Sequence, residues 1–342
     1  MLKKKEIRII FANRARGQAH SIEELFATVS DALDDSIHPE TLSARSPRAN
    51  WRAILSNWIW AIRLPKADIV HVTGDIHYAV LGVWGRKVVL TVHDLRILEE
   101  SRGLRRILCW LGWFALPVNR ADAITVISEF TRKRLQACCR VNPNKVHVVP
   151  NCVAPEFVQT QRIWSADRPR VLLVGTTPNK NLDRVIVACK GLRLVLAILG
   201  RLDTEQKLLM ESHAVEYEEY HTLSRTEVVT LYQDSDLVAF VSTYEGFGMP
   251  ILEGQAVGRP ILTSNISPMN EVAGEGAWKV DPFDVVSIRE GLFRLISDTA
   301  LRETLIQNGF RNVAEYSPKS ISAKYAAVYR EVMGRTPPLL KK

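Results

Sequence analysis

The sequence predicts an α/β protein made of two doubly wound parallel-sheet domains. Short runs rich in Val, Ile and Leu alternate with amphipathic stretches along the chain, the pattern of strands buried on both faces and linked by crossover helices. A length of 342 residues is enough for two domains, each with its own core. Between Asn151 and Pro169 the pattern lapses, and Pro150, Pro155 and Pro169 punctuate it as at a domain boundary.

In the first half the apolar runs place strands over 6–11, 68–72, 87–92, 122–127 and 146–149. In the second half they fall over 170–174, 193–199, 215–219, 236–241 and 259–263. A helix is expected from about Pro318 to Met333. The domains are set at 1–160 and 161–317, with 318–342 a terminal helix. No internal repeat or low-complexity tract interrupts this order.

Charge is divided unequally. Residues 1–150 carry 23 Lys+Arg against 14 Asp+Glu, whereas 151–342 carry 22 against 23, so the basic excess belongs to the first half. Its cations cluster at Lys3–Lys5, Arg45–Arg63 and Arg102–Arg106, the latter two beside Trp51, Trp58, Trp60, Trp110 and Trp113. Basic residues beside Trp suit an anionic membrane surface, and equally suit a packed helix with a solvated basic face. No nucleic-acid motif accompanies the charge, so no nucleic-acid partner is expected. The uncharged run 107–118 is too short for a bilayer span, and no apolar run follows Lys3–Lys5 as in a signal peptide. Five cysteines without a C-x-x-C pair suggest a reducing cytoplasm.

The most informative stretch is Tyr244-Glu245-Gly246-Phe247-Gly248-Met249-Pro250-Ile251-Leu252-Glu253, which joins an apolar strand to a helix start. Gly246 and Gly248 let backbone approach a ligand, and the amides of Gly248 and Met249 can face a phosphate at the positive helix end. Pro250 suits the first helical position. Ionised Glu245 and Glu253 accept hydrogen bonds and so suit sugar and ribose hydroxyls. Taken singly, a glutamate in a first helical turn serves the dipole and Gly-x-Gly is a turn; the combination between strand and helix points to a binding site.

This E-x7-E segment resembles the retaining glycosyltransferases of family 4, whose fold is called GT-B. Val171-Leu-Leu-Val-Gly175-Thr-Thr-Pro-Asn-Lys180, Thr91-Val-His93-Asp94, Ser128-Glu-Phe-Thr131 and Asn270-Glu271-Val-Ala-Gly274 extend the likeness from about residue 17 to about 283. The resemblance implies two Rossmann-like domains facing across a cleft, the first binding acceptor and the second nucleotide sugar, with the terminal helix crossing back to the first. It also implies roles. Lys180 holds the diphosphate, Glu245 the sugar hydroxyls and Glu253 the ribose, with Gly17, Gly175, Thr176, Gly246, Phe247, Gly248 and Met249 lining the donor. His93, Lys180 and Glu245 are the catalytic candidates, and Ser264 and Asn265 are weaker ones on the nucleotide side.

His93 follows a strand, where a structural histidine and a sugar-positioning one are both common, and Asp94 could cap the following turn. His20 and Ser21 have capping as their plain alternative. Family members carry an arginine soon after the glycine matching Gly175; Thr176 stands there instead, leaving Arg201 or Arg225 as substitutes. No D-x-D, H-E-x-x-H or Cys/His cluster is present, so no cofactor and no metal are expected.

The expected activity is retaining transfer of a hexose, with mannose suggested, from a nucleotide-diphosphate sugar. The acceptor is a glycan or lipid-linked glycan in O-antigen or lipopolysaccharide-type synthesis, in the cytoplasm or at the inner face of the plasma membrane. A GT-B epimerase or phosphorylase, or a noncatalytic nucleotide-sugar-binding subunit, are the alternatives. A dehydrogenase lacks support without G-x-G-x-x-G.

Overall fold

The computed structural model describes residues 6–15, 21–47 and 50–334. Two compact units form: Met1–Cys152 with Pro318–Lys342, and Val153–Ser317. The change falls ahead of the expected boundary at 160. Val153 N–H bonds the Tyr316 carbonyl at 2.9 Å and Thr160 N–H the Val257 carbonyl at 3.4 Å, which ties 153–160 to the second unit.

In the first unit, β1 (Ile7–Asn13), β2 (Ile37–Ser43), β3 (Ile69–Val72), β4 (Lys87–Val92), β5 (Ala123–Val126) and β6 (Val146–Val148) form a parallel sheet ordered β2-β1-β3-β4-β5-β6. β2 is absent from the sequence-based expectation. It is an edge strand in which Ile37 alone is buried, and Pro39 is tolerated because an edge strand has a free side. Helix Pro318–Val332 supplies Ile321, Tyr325, Ala326, Val328 and Tyr329 to the core that contains Ile7, Ile9, Phe11 and Phe26.

A buried polar chain runs through that core. The Tyr329 hydroxyl lies 2.8 Å from His71 Nδ1, His71 Nε2 lies 2.7 Å from Thr91 Oγ1, and Thr91 and Thr125 hydroxyls are 2.6 Å apart. Burial, with a smaller contribution from His93, pushes the His71 imidazole down to about 3.

In the second unit, β7 (Arg170–Val174), β8 (Val195–Leu199), β9 (Glu216–Tyr220), β10 (Leu237–Phe240), β11 (Ile261–Ser264) and β12 (Trp278–Val280) are likewise parallel, in the order β12-β11-β10-β7-β8-β9. β12 was not expected, since three residues at an edge leave too short a pattern to read. Asp236, buried at the start of β10, accepts bonds from Arg162 Nε, Ser165 N and Arg170 N at 3.1, 3.3 and 2.7 Å, fastening the incoming segment to the sheet. The winding reverses between β7 and β10, so the loops leaving these two strands are neighbours at a topological switch point, where ligands of open parallel sheets bind.

Candidate functional site

Lys180 follows β7 and Glu245 follows β10, and the switch point joins them: Lys180 Nζ lies 2.6 Å from Glu245 Oε1, with both side chains partly buried. The ammonium also sits 4.7 Å from the Phe240 ring centroid, within cation–π range. Gly175, at φ +89°, makes room for the lysine stem, because a Cβ there would stand 2.9 Å from Lys180 Cε. Asn179 joins the same loops, its Nδ2 donating to the Tyr244 carbonyl at 3.0 Å and to Glu245 Oε1 at 3.2 Å. Asn181, left-handed at φ 62° and buried, donates to the Val241 and Pro282 carbonyls at 3.1 and 2.6 Å. The cation is thus set in a bonded frame, whereas a lysine on a free loop would first have to be ordered.

Helix Met249–Ala256 begins at Gly248, whose φ of 119° is open to glycine. Pro250 is its second residue, not its first, and Glu253 lies one step past the first turn. The dipole therefore does not account for Glu253, and a side chain does: Tyr232 donates its phenol proton to Glu253 Oε2 at 2.5 Å. Burial pushes the Glu253 carboxyl above its ordinary range, against the pull of the Tyr232 bond and of the Arg225 and Lys180 charges. Burial together with Glu253 pushes the Tyr232 phenol well up. Phe157 packs edge-on to Tyr232 at 5.3 Å, and Arg225 stacks on Phe157 at 4.8 Å while lying 4.0 Å from Glu156.

Other expected residues have structural duties. The Thr176 hydroxyl donates to the Arg201 carbonyl at 2.8 Å, and Gly200 leaves space for its methyl, so Thr176 joins the loops after β7 and β8. Phe247 is buried against Tyr316. Ser264 needs correction as a nucleotide-side candidate: it is fully buried and its hydroxyl is spent on the Ser242 carbonyl at 2.6 Å. A hollow of about 440 Å³ touches Thr176, Thr177, Asn181, Arg184, Asp203 and Gln206 but neither Glu245 nor Glu253.

In the first unit, His93 sits at the end of β4 with Nε2 2.8 Å from the Thr73 carbonyl, and Asp94 caps its turn by accepting from Arg96 N at 3.0 Å. Gly17 and His20 lie outside the described residues. Tyr232 and Asn179 escaped the sequence reading. A tyrosine near a helix end, twenty-one positions before its carboxylate partner, leaves no local signal. Among the described residues no group of three or more His, Cys, Asp or Glu is placed to hold a metal, and no helix is long and apolar enough to cross a membrane.

Comparison with known proteins bears on this geometry. Residues 2–157 match the model of "Glycosyltransferase Family 4" and 158–312 that of "Glycosyl transferases group 1". The chain is 30% identical over 296 residues to an Escherichia coli O-antigen chain mannosyltransferase B, covering 79% of this chain and 76% of that protein. It is 28% identical over 350 residues to an MMP alpha-(1->4)-mannosyltransferase of Mycolicibacterium hassiacum, covering 92% and 79%. Among solved structures, Anabaena Alr3699/HepE in complex with UDP and glucose superposes with a TM-score of 0.74 at 14% identity, over 95% of this chain and all of that one. The lipopolysaccharide-biosynthesis glycosyltransferase WaaG does so with 0.67 at 15%, over 94% and 99%. Sheets wound as the sequence led us to expect, a carboxylate and a lysine meeting at the switch point, and relatives matched across both halves lead to one conclusion: the chain belongs to the family 4 glycosyltransferases of GT-B fold.

Proposed function

We propose that this glycosyltransferase moves a hexose, mannose first among the candidates, from a nucleoside-diphosphate sugar to a glycan or lipid-linked glycan acceptor in cell-surface polysaccharide synthesis. Its setting is the inner, anionic face of the plasma membrane. The observation that carries the donor reading is the Lys180–Glu245 pair, with Glu253 further along the same loop and helix. Mannose is favoured by the two mannosyltransferases to which the chain is similar.

The bond from the anomeric carbon to the diphosphate oxygen breaks, and a bond to the acceptor oxygen forms on the same face of the sugar. The acceptor proton passes to the departing phosphate. Charge grows on that phosphate as the bond breaks, and Lys180, held by the frame around it, is the cation that stabilises it, in place of a metal. Donor arrival transfers Lys180 from Glu245 to phosphate and frees Glu245 for sugar hydroxyls. Glu253 takes the ribose through the oxygen that Tyr232 leaves free. His93 positions the sugar.

The test is hydrolysis of a panel of nucleotide sugars by the purified protein with EDTA present, beside calorimetric binding of each. Turnover of GDP-mannose above the others is the expected result. Turnover of a different donor replaces the sugar, turnover that EDTA abolishes refutes the metal-free step, and failure of every donor to bind refutes the site.

A further inference from the structure

Two helices of the first unit turn apolar side chains to solvent. In helix Trp51–Ile62 the inner face is formed by buried Ala53, Asn57 and Ala61. Asn57 fixes the rotation of the helix, its Nδ2 donating to the Ser46 carbonyl and the Tyr78 hydroxyl, both at 2.9 Å. The outer face carries Trp51, Leu55, Trp58 and Ile62, all exposed, Trp51 to 69%. Spacings of four, three and four residues at about 100° per residue stack them in one narrow stripe.

The second helix, Gly103–Cys109, exposes Leu104 to 71%, Ile107 to 54% and Leu108 to 58%. It continues into the π-helical segment Trp110–Ala115. The first helix packs on the 3-10 turn His77–Gly82, as does the π-helical segment that continues the second. Tyr78 receives the Asn57 bond and meets Trp113 edge-on at 4.9 Å, and a Cβ at Gly82 would stand 2.9 Å from the Trp58 carbonyl oxygen. The exposed stripe is therefore built into the fold, since rolling the first helix inward would strand the Asn57 amide.

Charge selects the partner. Residues 41–67 and 101–121 together contain nine Lys+Arg and no Asp or Glu. A nucleic-acid surface has no use for a Trp-Leu-Trp-Ile stripe, and a second copy of this face would bring cations against cations. Cations of one sign around Trp and Leu match a surface whose outer layer is phosphate and whose inner layer is hydrocarbon.

We propose that helices Trp51–Ile62 and Gly103–Cys109 seat the protein on an anionic phospholipid bilayer, their apolar side chains in the headgroup–acyl boundary and their arginines on lipid phosphates. This rests on the membrane setting proposed above and adds which residues enter the lipid. The side chains are too few to span a bilayer, so the attachment is interfacial and reversible.

The experiment is co-sedimentation of the full chain with phosphatidylcholine vesicles, with and without phosphatidylglycerol, at two salt concentrations. Wild-type protein is expected on the anionic vesicles, less so at high salt, with a blue shift of Trp emission. W51S/W58S and L104S/I107S/L108S are each expected to lower partitioning by roughly tenfold or more. Calorimetric nucleotide binding by each variant reports that the fold is kept and tests the donor site separately. Absence of wild-type binding, or equal binding to neutral vesicles, refutes the membrane setting itself. Undiminished anionic binding by both folded variants leaves that setting standing and overturns the assignment to these helices. Loss of self-association in W51S/W58S, with vesicle binding kept, gives the face to a second copy of the chain.

Discussion

Lys180 and Glu245 lie 65 positions apart in the chain and form an ion pair at 2.6 Å that joins the loops leaving β7 and β10. In the function proposed, Glu245 competes with the donor for Lys180, since the ammonium cannot fully serve the carboxylate and a diphosphate together. Lys180→Ala is expected to lower transfer by about 10²–10³-fold, the usual cost of removing a preorganised donor to developing charge. Steady-state rates at saturating nucleotide sugar check this, and a wild-type rate would remove Lys180 from the chemistry.

Gly175→Ala attacks the same lysine without touching its charge. A left-handed φ costs a non-glycine residue about 1–2 kcal/mol, and the new methyl would press on Lys180 Cε. The stem must move, and a misplacement of this kind is expected to reduce turnover by about 10²-fold with a smaller change in nucleotide affinity. Comparing kcat with calorimetric Kd separates the two.

Glu253→Gln should weaken nucleotide binding by about tenfold to a hundredfold, the worth of one charged hydrogen bond. Stability should move the other way. The folded carboxyl titrates above its unfolded value, so its contribution is fully present at low pH and is lost as pH rises through the folded pKa. The amide carries no such loss. The variant should therefore melt above wild type at neutral pH, with the gap closing as pH falls toward 4.5, and thermal scans across that range would expose a wrong sign.

Tyr232→Phe leaves Glu253 Oε2 without its phenol donor in a partly buried site. Expected are a loss of about 1.5–3 kcal/mol of stability and a several-fold weaker nucleotide affinity, with kcat nearly kept because Tyr232 acts only through Glu253. Urea unfolding beside calorimetry reads both.

His71 sets a pH dependence of opposite origin. Its folded value of about 3 lies below the ordinary 6.5, so its stabilising contribution is present above pH 6.5 and falls as the unfolded chain takes up the proton. The limiting slope is about 1.4 kcal/mol per pH unit for one proton. His71→Gln is expected to remain folded but less stable at neutral pH, and to lose one proton from the slope of unfolding free energy between pH 6 and 5.

Burial makes most strands legible in the sequence, and the edge strands β6 and β9 are legible there too. β4, β5, β7 and β10 are enclosed by neighbours on both edges, so their apolar runs stand out, and the loop from Glu245 to Glu253 is continuous in sequence. β2 and β12 lie at edges, where polar residues, a proline or mere brevity hide a strand. Ser264 looked like a ligand group because it ends a strand, but only coordinates show its hydroxyl consumed by the Ser242 carbonyl. Tyr232 and Asn179 act through contacts between separate elements, and no spacing rule encodes a partner on another helix or loop.

The helix Pro318–Val332 has a consequence for synthesis. It belongs to the unit that opens the chain, so that unit is split around the whole of Val153–Ser317. On a ribosome adding about 5–20 residues per second, Phe11, Phe26 and His71 must wait roughly 10–60 s for Tyr325 and Tyr329 to emerge and cover them. The unit begun second is thus the first that can finish. Until that helix emerges, the unit begun first exposes an apolar seam that invites a chaperone, and a nascent chain stalled before Pro318 should be far more prone to aggregate than one that includes the helix.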